Sequence, residues 1–158
     1  MIRDIGDYAF FGLNGLKEVR FGNNLENVGN YAFADCANIL QDVVLPDTMK
    51  TIGTQAFFKT GITGVKTGGT TSIGGQAFAA CMYMVYAEFP NVNTVTAGGL
   101  FEGCSSLVSV DMPEISSVTG HGMFSYCTSL REVYLGARVS GLTLGTGTFI
   151  NMSPAQVK

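Results

Sequence analysis

The stretch IGDYAF at Ile5–Phe10 determines how this chain is organised, because variants of it return along the sequence. It reads VGNYAF at Val28–Phe33, IGTQAF at Ile52–Phe57 and IGGQAF at Ile73–Phe78. A Gly-containing turn followed by an aromatic residue could be a ligand-binding loop or a structural unit. Repetition at a regular interval favours the structural unit.

The phenylalanines of this unit are spaced almost evenly. Successive intervals are 23, 24, 21, 23, 23 and 25 residues. A fixed period in the low twenties predicts a solenoid, in which each repeat packs only on its neighbours. We therefore predict a single domain over residues 1–158 with about six full repeats and a partial one. The anchors are Phe10, Phe33, Phe57, Phe78, Phe101, Phe124 and Phe149.

The residues just before each phenylalanine predict a turn. The position four residues before it is glycine in six of the seven copies, with Ala97 as the exception, and this favours a backbone that a side chain would obstruct. The next position holds residues such as Asp7, Asn30 and Thr54, which commonly cap helices. We expect the phenylalanine to lie one turn into a short helical or 3-10 segment and to point inward.

A second motif, LxxVxL, follows each phenylalanine after about six residues. Alternating apolar and polar positions are typical of a strand with one buried face. Proline ends three of these strands, at Pro46, Pro90 and Pro113, because proline cannot continue a hydrogen-bonded ladder. One parallel strand per repeat gives a continuous sheet. The copies are LKEVRFG at 16–22, LQDVVLP at 40–46, ITGVKTG at 62–68, MVYAEFP at 84–90, LVSVDMP at 107–113 and LREVYLG at 130–136.

The composite IGxxAFxxCxxLxxVxLP resembles the BspA-like leucine-rich repeat of bacterial cell-surface proteins, from about Ile5 to Met152. The copies at Val95–Phe101 and Val118–Phe124 depart from it by one extra residue. The resemblance implies a right-handed leucine-rich-repeat solenoid with a parallel β-sheet on one face. Short helical or 3-10 turns, loops and further short strands would form the other side.

Composition excludes several kinds of partner. The net charge is -3, from 9 basic and 12 acidic residues without a Lys/Arg cluster, so a nucleic acid or an anionic membrane surface is not expected to bind. The uncharged segment Thr67–Ala87 is too rich in Gly and Thr for a membrane span. A chain with 21 glycines and only 13% charged residues is typical of short strands joined by turns.

Cys36, Cys81, Cys104 and Cys127 all follow a repeat phenylalanine by three residues. Other copies place leucine, threonine or methionine there, which is typical of a small buried position that accepts a free thiol. Neighbouring rungs would bring Cys81, Cys104 and Cys127 into one column, so a disulfide between rungs and a metal site are the alternatives. Zinc favours paired ligands at short spacing, and the sequence has none.

No set of residues predicts an enzyme. His121 is the only histidine and occupies the variable turn position of its repeat, so an exposed turn residue is expected. A nucleophile pair with Cys127 would need a core thiol to turn outward. The glycine pairs lack the lysine of a phosphate loop. We predict no catalytic residues, no cofactor and no metal.

The outward side chains of the strands form the candidate interaction face. Two interpretations stay open: a solvated surface that keeps the solenoid soluble, and a shallow protein-binding face. Carboxylates outnumber cations, and tyrosines are enriched at protein contacts. The predicted face consists of Glu18, Arg20, Asp42, Lys66, Tyr86, Glu88, Asp111, Glu132 and Tyr134.

The resemblance implies a non-enzymatic protein-interaction or adhesion module of a bacterial surface or secreted protein. Its ligand would then be a protein, such as a component of host extracellular matrix or plasma. One alternative is a structural spacer or scaffold segment without a ligand, and a more distant one is a glycan-recognition module. Uncapped solenoid ends expose core, so we expect the chain to be part of a longer protein or to self-associate.

Overall fold

The computed structural model describes residues 1–136, which wind into about six turns of a parallel-strand β-solenoid. Their regular structure consists of two sheets, and no helix forms in this range. The strands are β1 (Asp4–Ile5), β2 (Asn27–Val28), β3 (Asp42–Leu45), β4 (Thr51–Ile52), β5 (Gly64–Thr67), β6 (Ser72–Gly74), β7 (Tyr86–Glu88), β8 (Thr94–Thr96), β9 (Ser109–Asp111), β10 (Ser117–Thr119) and β11 (Glu132–Tyr134).

Each sheet takes one strand from successive repeats. The open sheet has the order β3-β5-β7-β9-β11 and contains the LxxVxL motifs, and the second sheet has the order β1-β2-β4-β6-β8-β10. All pairs are parallel. Burial alternates along β3, where Val43 and Leu45 are inside and Asp42 and Val44 outside. The predicted leucine-rich-repeat solenoid with a parallel sheet on one face is confirmed.

Residues 16–21 do not pair with a neighbouring strand, so the strand predicted for the first repeat is absent. The second repeat has one extra residue before Val43, so Ile39 is buried while Leu40 points outward. The side chain of Gln41 replaces the backbone hydrogen bonds that a strand ladder would form between the first and second repeats. It accepts from the Val19 N–H at 3.1 Å and donates to the Val19 carbonyl at 2.8 Å.

The turns around the six anchor phenylalanines from Phe10 to Phe124 are not helical, contrary to the expectation from capping residues. The residues two positions before and two after the phenylalanine are left-handed, with φ between 50° and 76°. A helix needs consecutive right-handed residues, so this alternation prevents one. The N–H groups of the phenylalanine and its left-handed neighbours instead donate to the next repeat, as from Phe33 to the Ala56 carbonyl at 2.8 Å.

The predicted caps connect repeats rather than closing a helix. Asp7 Oδ1 accepts the N–H of Asn30 at 2.7 Å, and Asn30 Oδ1 accepts the N–H of Thr54 at 2.8 Å. Each side chain therefore satisfies a backbone donor in the repeat that follows it.

A stack of phenylalanine rings forms the centre of the core, as the period predicts. Ring centroids of Phe33 and Phe57 are 5.2 Å apart, and those of Phe57 and Phe78 are 5.4 Å apart with an interplanar angle of 3°. Phe10 closes the stack in the first turn and is 37% exposed. The seventh anchor, Phe149, and its Gly145 lie outside the described residues.

Two threonines in the third repeat place hydroxyls in the core without a partner among the described residues, Thr67 and Thr70. Thr67 occupies the inward position that Leu45, Phe89 and Met112 fill in other repeats. A buried hydroxyl without a hydrogen bond destabilises a fold by about 1–3 kcal/mol.

We expect Thr67→Val to raise the free energy of unfolding by about 1 kcal/mol, because it removes this desolvated hydroxyl. Urea unfolding followed by circular dichroism measures the change. Thr60→Val is the matched control. The Thr60 hydroxyl donates to the Phe57 carbonyl at 2.9 Å, so its loss should destabilise. A Thr67→Val protein that is less stable than the wild type would contradict the prediction.

Candidate interaction face

The register of the open sheet sorts its outward side chains into two rows that cross the strands. Residue i of one strand pairs with the equivalent residue of the next, so the rows follow from the ladder. The first row is Asp42, Gly64, Tyr86, Ser109 and Glu132, and the second is Val44, Lys66, Glu88, Asp111 and Tyr134. Glu18 and Arg20 lie on no strand of the open sheet, which begins at β3, and they form their own ion pair at 2.7 Å.

A tyrosine folded along the first row joins two strands that are not neighbours. The ring of Tyr86 lies where a side chain at Gly64 would be. Its hydroxyl donates to Asp42 Oδ2 at 2.9 Å, and Thr63 donates to Asp42 Oδ1 at 2.6 Å. Burial raises the pKa of Tyr86 to about 12, with a further contribution from the hydrogen bond to Asp42, so the phenol is a neutral donor.

The second row contains one ion pair. Lys66 Nζ lies 2.7 Å from Glu88 Oε2, and this hydrogen bond raises the pKa of Lys66. Both side chains are partly exposed, and such pairs contribute little to stability. They do reduce the charge that this part of the face presents to a partner.

The remaining carboxylates lie at the other end of the face. Asp111 and Glu132 are exposed, and no lysine or arginine within the described residues is at ion-pair distance from either. Tyr134, also exposed, is the neighbour of Asp111 in the ladder. The face therefore has an internally paired part over β3, β5 and β7 and an acidic part over β9 and β11.

The four cysteines are free, buried thiols. Each Sγ–H donates to the carbonyl of the phenylalanine in the preceding repeat, at 3.0 Å from Cys36, 3.1 Å from Cys81, 3.0 Å from Cys104 and 3.1 Å from Cys127. The sequence left open free structural thiols, a disulfide between rungs and a metal site, and the structure shows free structural thiols. Burial raises the pKa of Cys81 to about 11 and that of Cys127 to about 12.

We expect these thiols to be unreactive in the native protein. At pH 9, where an ordinary cysteine is largely ionised, Ellman's reagent should modify the unfolded chain rapidly and the native chain slowly. Because the folded-state pKa lies above the unfolded value, the contribution of these thiols to the free energy of unfolding is complete only below the ordinary cysteine pKa of about 8.5. It declines as the pH rises toward 11–12. Rapid labelling of the native protein at pH 9 would contradict this.

The structure also bears on the hypothetical nucleophile pair of His121 and Cys127, on metal binding and on a membrane span. His121 is exposed, whereas the Cys127 thiol points to the Phe101 carbonyl, so the hypothetical nucleophile pair is not assembled. Within residues 1–136, no three His, Cys, Asp or Glu side chains converge in a way that could hold a metal ion. That range also lacks a helix long and apolar enough for a bilayer crossing.

The repeats match a known family. The family model for the BspA-type leucine-rich repeat region matches residues 1–95 and 65–157, with six copies. The chain belongs to the BspA-type leucine-rich repeat family. Modules of this family are generally non-enzymatic and act in protein interaction or as scaffolds. No curated protein shows significant similarity to the chain.

Three solved structures of leucine-rich repeat proteins are similar in fold to this chain. A leucine-rich repeat protein of T. pallidum is 26% identical with a TM-score of 0.78, over 85% of this chain and 63% of that one. One from Bacteroides ovatus is 24% identical with a TM-score of 0.65, over 89% and 43%. A leucine-rich cell surface protein of Faecalibacterium prausnitzii is 29% identical with a TM-score of 0.60, over 75% and 33%. The chain thus spans between a third and two thirds of these structures.

Proposed function

We propose that this chain is a non-enzymatic protein-interaction module of a bacterial surface or secreted protein. It binds its protein ligand through the open face of β3, β5, β7, β9 and β11. The observation that carries this proposal is the acidic part of the face, where Asp111, Glu132 and Tyr134 stand exposed on a rigid sheet. The similarity to a cell surface protein of Faecalibacterium prausnitzii supports the location.

The shape and charge of the face favour a protein ligand with a basic patch. A parallel sheet holds its outward side chains in fixed positions, so little conformational entropy is lost when they bind. Exposed carboxylates raise the association rate of a cationic partner and help to select it. An aromatic neighbour such as Tyr134 adds the contact area that is typical of interface centres.

Binding to immobilised fibronectin, fibrinogen and a glycan array tests the proposal. We expect Asp111→Lys to weaken protein binding by roughly tenfold because it reverses a carboxylate at the contact. Glu114→Lys is the matched control, since it changes the charge equally at an exposed position three residues away, off the open face. Equal effects of the two variants would contradict the use of this face.

The other outcomes separate the alternatives. A chain that binds none of the immobilised proteins and no glycan supports the spacer or scaffold function. A signal confined to the glycan array supports glycan recognition. The location is tested by antibody labelling of intact and permeabilised cells, where labelling only after permeabilisation would oppose a surface position.

We also propose that residues 1–158 form one domain of a longer solenoid protein, and that the first turn can bind a second copy. The first turn leaves an apolar cavity of about 370 Å³ lined by side chains that include Ile5, Phe10 and Phe21. Sedimentation velocity should show concentration-dependent association that Phe10→Ser reduces. A monomer at all concentrations would oppose the self-association.

A further inference from the structure

The third repeat is shorter than its neighbours in the loop that precedes β5, its strand of the open sheet. In the second and fourth repeats, two residues separate the small buried position from the next apolar anchor, for example Met82 and Tyr83 between Cys81 and Met84. In the third repeat only Gly61 separates Thr60 from Ile62.

The structure draws this short loop into the body of the solenoid. Gly61 is buried, whereas Ala37, Met82 and Tyr83 in the loops on either side are exposed. A Cβ on Gly61 would collide with the Ala37 carbonyl oxygen, so the loop can close this tightly only with glycine. The loops of the second and fourth repeats consequently stand above it and form the walls of a groove.

The third-repeat groove, as we call this feature, is lined by Asp35, Ala37, Lys59, Thr60, Met82 and Tyr83, among others, and has a volume of about 460 Å³. Parallel rungs repeat at about 4.8 Å, so the recessed loop of the third repeat leaves about 10 Å between the loops of the second and fourth repeats. That width fits one extended polypeptide with ordinary strand spacing on both sides. The volume is within the usual range of ligand sites.

The walls of the groove combine apolar and charged chemistry. Met82 and Tyr83 are each 56% exposed and offer a thioether and an aromatic ring, two groups that suit apolar side chains. Lys59 Nζ lies 5.2 Å from the ring centroid of Phe58, within the range of a cation–π contact. Asp35 also lines the groove, but neither it nor any other carboxylate within residues 1–136 is at ion-pair distance from Lys59.

We propose that the third-repeat groove binds one extended peptide segment of a protein partner. An apolar side chain of the peptide packs on Met82 and Tyr83, and an acidic side chain pairs with Lys59. This site is separate from the open face and adds a second contact to the proposed function.

The floor favours a peptide over a sugar. Thr60 Oγ1 already donates to the Phe57 carbonyl at 2.9 Å and contacts Cys81 Sγ at 3.3 Å, so it offers little to a polyhydroxylated ligand. An extended peptide needs only the apolar side chains of Met82 and Tyr83, the cation of Lys59 and the width of the groove.

Panning a displayed library of random seven-residue peptides on the purified chain tests the proposal. We expect enriched peptides to combine a large apolar residue with Asp or Glu. Their affinity should fall about tenfold for Met82→Ser with Tyr83→Ser, and similarly for Lys59→Glu. The double variant copies Ser105 and Ser106, which follow Cys104 in the fifth repeat, so the fold should tolerate it. Circular dichroism checks this.

Two controls separate this site from the open face. Asp111→Lys and Tyr134→Ser should leave peptide affinity unchanged, even if they abolish binding to a large protein ligand. Insertion of a serine after Gly61 restores the usual loop length and should block the groove. The proposal is overturned if no peptide is enriched, if enriched peptides bind the double variant as well as the wild type, or if only glycans bind in a Tyr83-dependent way.

Discussion

We expect Phe78→Ala to lower the free energy of unfolding by about 3–5 kcal/mol, which is enough to unfold much of a marginally stable domain. The ring is fully buried and contacts aromatic neighbours on both sides. Its centroid is 5.4 Å from that of Phe57, 6.2 Å from that of Phe101 and 5.6 Å from that of Phe89. Truncation removes these contacts and leaves a cavity that the rigid strand spacing prevents from collapsing.

Phe10→Ala is the matched control for this prediction. Phe10 has the same position in its repeat but stacks on one side only, against Phe33 at 5.0 Å, and is 37% exposed. Its truncation should cost less than half as much, since less apolar surface leaves the core. Urea unfolding monitored by far-ultraviolet circular dichroism measures both. Equal losses would show that the ring stack does not act as a continuous core.

The same ring stack shows what could be predicted from the sequence. The interval between phenylalanines reappears as the ring stack from Phe10 to Phe124. The LxxVxL motifs form strands from the second repeat onward, but not in the first repeat. The predicted helical segment is wrong, because side chains such as Asp7 and Asn30 can either cap a helix or accept a hydrogen bond from the next repeat. Only the hydrogen bonds between repeats decide between these two roles, and the sequence of a single repeat does not show those bonds. The left-handed residues that follow this position, such as Tyr31 and Gln55, are not of a type that signals this conformation.

The outward positions on β3, β5, β7, β9 and β11 were predictable from the sequence, whereas Glu18 and Arg20 lie on no strand and the pairing within the rows was only partly predictable. That these residues form an interaction face stays a prediction. Aligning the LxxVxL copies puts Asp42, Gly64 and Tyr86 in one row, so the absence of a side chain at Gly64 was a visible signal for the Tyr86–Asp42 contact.

The loss of the strand in the first repeat and the register of the second repeat could not be predicted from the sequence. Ile39 and Leu40 are both apolar, and the choice between them depends on the Gln41 bonds to Val19.

The third-repeat groove was missed although its signal is simple. The interval of 21 residues from Phe57 to Phe78 is the shortest in the chain, and part of the deficit is the single residue between Thr60 and Ile62. In an alignment of the repeats, such a deletion only makes the third copy look like a weaker match. In a stack it has a physical meaning, because every rung must remain at the strand spacing and the missing residue becomes a gap at the surface.

The glycine of the opening motif gives the second large prediction, Gly53→Ala. The Cβ of an alanine at position 53 would lie 2.6 Å from the Asn30 nitrogen and 2.6 Å from the Gly29 carbonyl carbon. Both are backbone atoms of the preceding repeat, so they can move only if the two rungs separate. Overpacking of this kind costs about 1–3 kcal/mol or more, and here it also weakens the ladder between β2 and β4.

Gly6→Ala is the control that distinguishes this explanation from local backbone preference. Gly6 has the same place in the motif, but a Cβ there would meet nothing within 4 Å, because no earlier rung lies against it within the described chain. If glycine is required for its conformation, both substitutions should destabilise. If it is required for close stacking, Gly6→Ala should change stability by less than about 0.5 kcal/mol, while Gly53→Ala lowers the urea midpoint clearly. We expect the second result, since neither glycine has a positive φ. The glycine then recurs along the chain because the preceding rung leaves no room for a side chain at Gly29, Gly53 and Gly74.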